Sequence, residues 1–262
     1  MMNEQMFKRL KEAVKNHENV ALVKITQHPD PALLGTTSLL RSDGTLEESS
    51  LPTDVSEVVV EHSLPLLKAG LTKTIVVPYG DSEIEFYVEI FQAPPQLIVA
   101  GAGHVSEPVA EIGKMLGFHV TVIDDRQKFA NRDRFPTADE VVCTSYVDFF
   151  RNVPIHEDTY ILLLTRGHQF DVVSLQELLK REEGIPPENR TRYIGMIGSR
   201  RRISGVFEQL KGEFTEHNFT NIYSPVGLDI GAQSPTEIAI SIFAEILMIK
   251  NATSGRPLKE KI

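Results

Sequence analysis

The sequence predicts an α/β protein with a doubly wound parallel sheet, preceded by a small α+β domain. Residues 96–126 read as a buried strand, a glycine turn, a helix, a second strand and an acid, which is the first unit of a dinucleotide-type fold. Strand and helix patterns then alternate to about residue 250, whereas the earlier strands are half-buried. A proline-rich linker, Gln92-Ala93-Pro94-Pro95, separates the two patterns. We therefore expect a small α+β domain at 1–92, a Rossmann-like domain at 96–252 and a tail at 253–262.

The first domain is predicted to form a sheet with two helices. Asp43-Gly44 is a hairpin signal, and residues 83–91 alternate apolar and polar side chains as an antiparallel strand with one buried face does. A cap at Asp54 or Ser56 begins the second helix, and Pro65 is expected to kink it. The predicted elements are a helix over 3–17, strands over 20–26, 37–40 and 45–48, a helix over 54–69, and strands over 72–77 and 83–91.

The second domain is predicted to alternate buried strands with helices. Ser234 to Glu237 form a capping box with proline at the first helical position, so a helix begins there. Cys143 falls in an apolar strand and is interpreted as a small buried residue. The predicted strands are 96–100, 119–123, 140–144, 160–165, 193–197 and 221–224, and the predicted helices are 105–116, 147–152, 170–183, 199–214 and 234–250.

The glycine turn after the first of these strands is the first candidate ligand site. Gly101 permits a tight turn, and Gly103 lets a phosphate or a flat ring approach the backbone at the positive end of the following helix. Asp124 stands about 21 residues further on, where an acid accepts a ribose hydroxyl. Ser106 replaces the third glycine of the usual fingerprint. A turn that binds nothing remains the alternative. The candidate residues are Gly101, Ala102, Gly103, His104, Val105, Ser106 and Asp124.

The remaining candidates follow the other strands, because ligands of open parallel sheets bind beyond the carboxyl ends of the strands. Three consecutive arginines, 200–202, lie at a helix N-terminus, which disfavours cations unless an anion is bound nearby, and we expect one of them to point inward. Arg126 either contacts the ligand or pairs with Asp124 or a neighbouring acid, and His168 is either a ligand contact or a helix-capping or surface residue. The candidates are Arg126, Thr165, His168, Gly198, Ser199, Arg200 and Arg201.

Composition excludes several classes of function. The 262 residues carry a formal net charge of −9, which disfavours a general nucleic-acid surface. A single cysteine allows no intramolecular disulfide and no cysteine metal cluster, and two candidate histidines are too few to predict a metal site. No apolar run reaches the roughly 18 residues of a membrane helix, and the N-terminus has no apolar secretory core. We therefore expect a cytoplasmic protein without membrane contact.

Three motifs in the second domain resemble one known family. The chain is similar to the xanthine dehydrogenase accessory factors of XdhC/CoxI type, and the likeness covers nearly all of residues 96–250. The glycine turn with His104 and the pair Asp124 and Arg126 also fit this family. The motifs are Tyr193-Ile194-Gly195-Met196-Ile197-Gly198-Ser199-Arg200-Arg201, Ser224-Pro225-Val226-Gly227-Leu228-Asp229-Ile230-Gly231-Ala232, and Ser234-Pro235-Thr236-Glu237-Ile238-Ala239.

The resemblance implies an accessory protein without catalytic residues of its own. Such proteins bind molybdenum cofactor (molybdopterin), present it for sulfuration and deliver it to a xanthine dehydrogenase-type apoenzyme. The implied partners are that apoenzyme and a cysteine desulfurase or sulfurase, and we expect a homo-oligomer. The chain departs from the family at Thr165-Arg166-Gly167-His168, where the family tends to have histidine in place of Arg166, and it lacks the family's cysteine near residues 43–50.

Two other functions are compatible with the same residues. The first is an NAD(P)-binding oxidoreductase, in which Asp124 would favour NAD over NADP. His168 is then the one convincing acid–base candidate, and Ser106 with Glu107 crowds the pyrophosphate. The second is a nucleotide-sensing module that acts through protein contact, with the first domain as its partner surface.

Overall fold

The computed structural model describes residues 4–15, 18–47, 49–186, 189–215 and 219–261. The chain divides into two compact units, Met1–Pro94 and Pro95–Ile262. Within the described residues, no helix combines the length and the apolar character that crossing a bilayer requires.

The first unit contains a five-stranded antiparallel sheet with the strand order β3-β2-β1-β5-β4. One face of β5 is buried, as its alternation predicts, because Ile84, Phe86 and Val88 point into the core. The elements are α1 (Glu4–Lys15), β1 (Val20–Gln27), a short 3-10 helix (Pro31–Leu33), β2 (Thr37–Arg41), β3 (Leu46–Glu47), α2 (Thr53–Ala69), β4 (Lys73–Tyr79) and β5 (Ser82–Phe91).

Helix α2 begins one residue earlier than predicted. Its N-cap is Pro52, which has no side-chain donor or acceptor, so neither Asp54 nor Ser56 caps it. Its end at Gly70 is confirmed, because this residue adopts the left-handed conformation (φ 68°) that terminates helices. Pro65 lies inside the continuous helix, and the kink expected there stays a prediction. The ends predicted for the first helix at residues 3, 16 and 17, and for the strand at 48, lie outside the described residues.

The second unit contains a six-stranded parallel sheet with the order β11-β10-β9-β6-β7-β8. This order reverses between β6 and β9, so the predicted doubly wound, Rossmann-like fold is confirmed. Its elements are β6 (Gln96–Ala100), α3 (Ser106–Met115), β7 (His119–Asp124), β8 (Glu140–Cys143), α4 (Tyr146–Asn152), β9 (Thr159–Leu163), α5 (His168–Glu182), β10 (Tyr193–Met196), α6 (Arg200–Leu210), β11 (Ile222–Tyr223) and α7 (Pro235–Lys250).

Both faces of this sheet are covered. Along β6, Leu97 and Val99 pack into the core formed with α3 and α7, whereas Ile98 and Ala100 pack into the core formed with α4, α5 and α6. Such burial on two faces explains why β6 is a continuous apolar run rather than an alternating one. The capping box of α7 is present at Ser234 as predicted.

The bounds of several elements in the second unit differ from the sequence predictions; α6, for example, ends at Leu210 rather than at about 214. Three differences concern His168, Thr165 and Cys143. Helix α5 begins at His168 rather than at 170, so this histidine belongs to a helix N-terminus and not to a loop. Strand β9 ends at Leu163, which leaves Thr165 in the connection to α5. Cys143 is exposed, and the prediction of a buried residue is wrong: β8 is the edge strand and Cys143 is its last residue.

Candidate functional site

The candidate site starts at the reversal of strand order, where the connections after β6 and β9 diverge. The two strand ends stay tightly joined, because the Leu164 amide donates to the Ala100 carbonyl at 2.8 Å. Gly101 has a φ of 107°, and a Cβ placed there would lie only 2.4 Å from the Leu164 carbonyl oxygen. Only glycine fits this position, so the first predicted role, a tight turn out of the strand, has a direct physical cause.

The outer side of the glycine turn is open. A Cβ added at Gly103 would meet no atom within 4 Å. Among the described residues, none accepts a hydrogen bond from the amides of Gly103, His104 or Val105, and the His104 side chain is exposed. These amides lie at the start of α3, where the helix dipole favours negative charge. The turn therefore offers three free donors to an anion.

Ser106 fastens this turn from within. Its side chain is fully buried, and its hydroxyl donates to the Gly101 carbonyl. Its amide donates to the Gly103 carbonyl at 3.2 Å. The serine that replaces the third fingerprint glycine thus holds the turn in shape, and it is not available to a ligand.

Asp124 is fully buried beneath the turn, and its carboxylate is already occupied. Oδ2 accepts from the Ala102 amide at 2.9 Å, and Arg126 donates to both oxygens, from Nε to Oδ1 at 2.8 Å and from Nη2 to Oδ2 at 2.9 Å. Burial raises the pKa of Asp124, but the hydrogen bonds from Arg126 and Ala102 outweigh it and bring the pKa down to about 2. Of the two interpretations of Arg126, the structure shows the ion pair with Asp124, and this pair leaves the carboxylate no free position for a ribose hydroxyl.

A second arginine, Arg166, connects the loops on either side of β6. Its Nη2 donates to Asp125 Oδ2 at 2.9 Å, and Nη1 donates to the other oxygen of this carboxylate. Its guanidinium also stacks on Phe170, 3.9 Å from the ring centre. Because β6 lies between β9 and β7, this ion pair spans the carboxyl end of β6. The residue that departs from the resembled family is therefore the one that ties these two loops together.

Glu107, at the start of α3, does not present a free negative charge to the turn. It pairs with Arg134, which also donates to the Ala102 carbonyl at 2.8 Å. Arg134 could not be predicted as a site residue from the sequence, because it lies in the long connection between β7 and β8 and no local pattern marks it.

The second group of candidates lines a cavity of about 460 Å³ between the N-termini of α5 and α6. It includes the predicted residues His168, Ser199 and Arg201, but no residue of the glycine turn. The predicted site residues therefore form two groups, one at the glycine turn and one around this cavity. The lining residues are Arg166, Gly167, His168, Ser199, Arg201, Arg202, Gly205 and Gln209.

Arg202 is the arginine that points inward, as expected of one member of the triplet. It donates to the fully buried carboxylate of Asp171, from Nε at 2.8 Å, and to the Thr165 carbonyl at 3.0 Å. Thr165 also donates its hydroxyl to Asp171. Burial raises the pKa of Asp171, and the hydrogen bonds from Thr165 and Arg202 oppose that rise. Thr165 is thus held by neighbouring side chains.

The other two arginines of the triplet differ from Arg202. Arg201 is exposed, and among the described residues it has no acidic partner. The side chain of Arg200 lies outside what the structure describes. Gly198 precedes the helix, and a Cβ there would come within 3.1 Å of the Arg202 side chain. The described residues include no group of three or more histidine, cysteine or acidic side chains arranged to hold a metal ion.

Comparison with known proteins agrees with this architecture. The XdhC Rossmann domain matches residues 97–246, which is more than half of the chain. The chain belongs to the XdhC family. The match includes the glycine turn, Asp124, Arg126 and the whole 460 Å³ cavity.

Two curated relatives and one solved structure are similar to this XdhC-family protein. It is 29% identical over 231 residues to the uncharacterized protein YqeB of Escherichia coli, covering 83% of this chain and 41% of the relative. It is 29% identical over 177 residues to a probable xanthine dehydrogenase subunit from Bacillus subtilis, covering 68% of this chain and 49% of the relative. The chain thus spans less than half the length of these curated relatives. A crystal structure of a xanthine dehydrogenase from Bacillus halodurans has the same fold, with a TM-score of 0.54 at 20% identity, covering 94% of this chain and 96% of the other.

Proposed function

We propose that this protein is an accessory factor that binds molybdenum cofactor and assists its sulfuration and insertion into a xanthine dehydrogenase-type enzyme. Membership of the XdhC family and the likeness to a probable xanthine dehydrogenase subunit support the association with that enzyme. The cofactor is the cargo of this function, so the chain needs groups that hold and release it rather than groups that react.

The observation that carries the proposal is the open turn at the start of α3. Molybdenum cofactor carries a phosphate on its pterin, and the amides of Gly103, His104 and Val105 offer three donors at a helix N-terminus. Gly103 leaves room for the phosphate to approach the backbone. We assign the phosphate to these amides and assign to His104 a position beside the bound group.

Co-expression with the cofactor pathway tests this assignment. The purified protein is expected to retain pterin, measured by fluorescence after oxidation, and molybdenum, measured by mass spectrometry. Gly103→Asp is expected to lower retention about tenfold or more, because its carboxylate repels the phosphate; that factor corresponds to about 1.4 kcal/mol. Gly103→Ala is the matched control, since the position has space for a methyl group. Absence of pterin from the wild-type protein contradicts the proposal.

The proposed partners require a separate measurement. We propose contact with a xanthine dehydrogenase-type apoenzyme and with a cysteine desulfurase or sulfurase, and self-association into a homo-oligomer. Light scattering after size-exclusion chromatography measures the last of these. Transfer is tested by mixing loaded protein with apoenzyme and following xanthine oxidation. Full cofactor retention without any gain in apoenzyme activity would limit the protein to storage.

The geometry supports this proposal over an NAD(P)-dependent oxidoreductase. The carboxylate of Asp124 accepts from Ala102 and Arg126, so it has no free position for a ribose hydroxyl. We therefore expect no thermal stabilisation by NAD or NADP at concentrations up to 1 mM, on the order of ordinary cofactor affinities. A nucleotide-sensing module would instead show stabilisation and ligand-dependent association without turnover.

A further inference from the structure

The cavity between α5 and α6 has a lining that selects for anions. Three arginines and a histidine line it, and the lining includes no acidic side chain. Two of these arginines are paired with carboxylates that do not line the cavity: Arg202 with Asp171, and Arg166 with Asp125. Arg201 has no acidic partner among the described residues, so its full charge remains in the cavity. This excess of positive charge stands out in a chain whose net charge is −9.

The backbone adds donors on the same side. Helix α5 begins at the N-cap Gly167, which has no side chain to cap it. Among the described residues, none accepts from the amides of His168 and Gln169. Ser199 is the N-cap of helix α6 on the opposite side, and both helix dipoles favour negative charge at these ends. The cavity thus combines one unpaired guanidinium with free amides.

The size of the cavity indicates what kind of anion it takes. Its volume of about 460 Å³ is within the range of small-molecule sites, and it is much larger than one inorganic oxyanion. A Cβ added at Gly205, on the α6 side, would meet no atom within 4 Å, so space remains beyond the charged groups for an organic portion.

We propose that this cavity binds a phosphorylated small molecule, with its phosphate between the Arg201 guanidinium and the N-terminus of α5. This site is separate from the glycine turn, and it does not require that the protein carries molybdenum cofactor. The chemistry it recognises is a phosphate monoester or diphosphate. The ligand is either a free metabolite or the cargo itself, and in the second case the cavity, not the glycine turn, receives the phosphate of the cargo.

Phosphorus NMR and calorimetry with phosphate, pyrophosphate and AMP as probes test the site at constant ionic strength in chloride. The wild-type protein is expected to bind at least one probe, and Arg201→Gln is expected to weaken that binding about tenfold through loss of a charge-assisted contact. Arg256→Gln is the matched control, because Arg256 is exposed and does not line the cavity.

A second variant separates loss of binding from loss of folding. Gly205→Glu replaces a glycine inside α6 and so favours the helix, while it places a carboxylate in the cavity. We expect unfolding stability equal to or higher than that of wild type, together with loss of probe binding. Wild-type protein that binds no probe, or variants that bind like wild type, would overturn the inference.

Comparison with the cofactor experiment distinguishes the two ligand sources. If Arg201→Gln weakens probe binding but leaves pterin retention unchanged, the ligand is a free phosphorylated compound. If it lowers both, the cavity receives the phosphate of the cargo. Probe binding without any pterin retention supports this cavity and contradicts the proposed function.

Discussion

Replacing Asp124 by asparagine tests whether the acid of the dinucleotide-type motif has become a structural residue. The carboxylate accepts from the Ala102 amide and from Arg126, and no part of it is exposed. Asparagine keeps one acceptor for the Ala102 amide, but it removes the charge and presents an NH₂ group towards Arg126. We therefore expect Asp124→Asn to destabilise the second unit.

The pKa of Asp124 gives the size of this effect. Its fall from the ordinary 3.8 to about 2 corresponds to about 2–3 kcal/mol, at about 1.4 kcal/mol per pKa unit. Because the folded pKa lies below the unfolded one, this stabilisation is complete well above pH 3.8 and is lost as the pH falls through about 2. At pH 3, about half of it remains.

Urea denaturation followed by circular dichroism at pH 7 and pH 3 measures the difference, and hydrogen exchange in β6 and β7 assigns the transition to the second unit. The control is Asp133→Asn, since Asp133 is exposed and its carboxylate accepts no hydrogen bond from the described residues. Combining Asp124→Asn with Arg126→Gln should cost less than the sum of the single losses, because both changes break the same pair. A loss below about 0.5 kcal/mol at pH 7, or an equal loss at both pH values, refutes the structural role.

Three further predictions concern the second unit. Tyr193→Phe should cost about 1–3 kcal/mol in urea denaturation, because the tyrosine hydroxyl donates to the buried carboxylate of Glu245; an unchanged midpoint contradicts this. Gly113→Ala should also destabilise, by about 1–3 kcal/mol, although alanine favours helices, because its Cβ would lie 2.7 Å from Leu97 Cδ2; a stability gain would show that α3 can move outward. Cys143 should react with Ellman's reagent in the native protein, since it is exposed, and a thiol that reacts only after denaturation opposes the assignment.

The fold could be predicted because its signals are local. A continuous apolar run such as Leu97 to Ala100 indicates a strand buried on both faces. The capping box that begins at Ser234 is a motif of only four residues, and it marks the start of α7. The prediction for Cys143 is wrong because it rests on a local signal alone. Its short apolar run resembles a buried strand, but β8 lies at the edge of the sheet, and this position depends on strand order, which no local pattern reveals.

The candidate site could be predicted only in part, because its contacts join residues far apart in sequence. Asp124 and Arg126 are two positions apart in the sequence, and their pairing is one of the alternatives that the sequence predicts for Arg126. The pair of Asp125 and Arg166 depends on β9 and β7 flanking β6, which no local pattern reveals. The three-arginine motif indicated one inward side chain, but only the structure identifies it as Arg202.

Charge pairing at the carboxyl edge of the parallel sheet reconciles an acidic chain with ligands that carry phosphate. Carboxylates near the strand ends would repel a phosphate, yet four of them are each bound to an arginine. The pairs are Asp124 with Arg126, Asp125 with Arg166, Glu107 with Arg134 and Asp171 with Arg202. With these four charges paired, the described groups around the glycine turn and the cavity that attract an anion are the helix N-terminal amides and Arg201. The net charge of −9 therefore describes the chain as a whole, whereas the glycine turn and the cavity at this edge of the sheet favour anions.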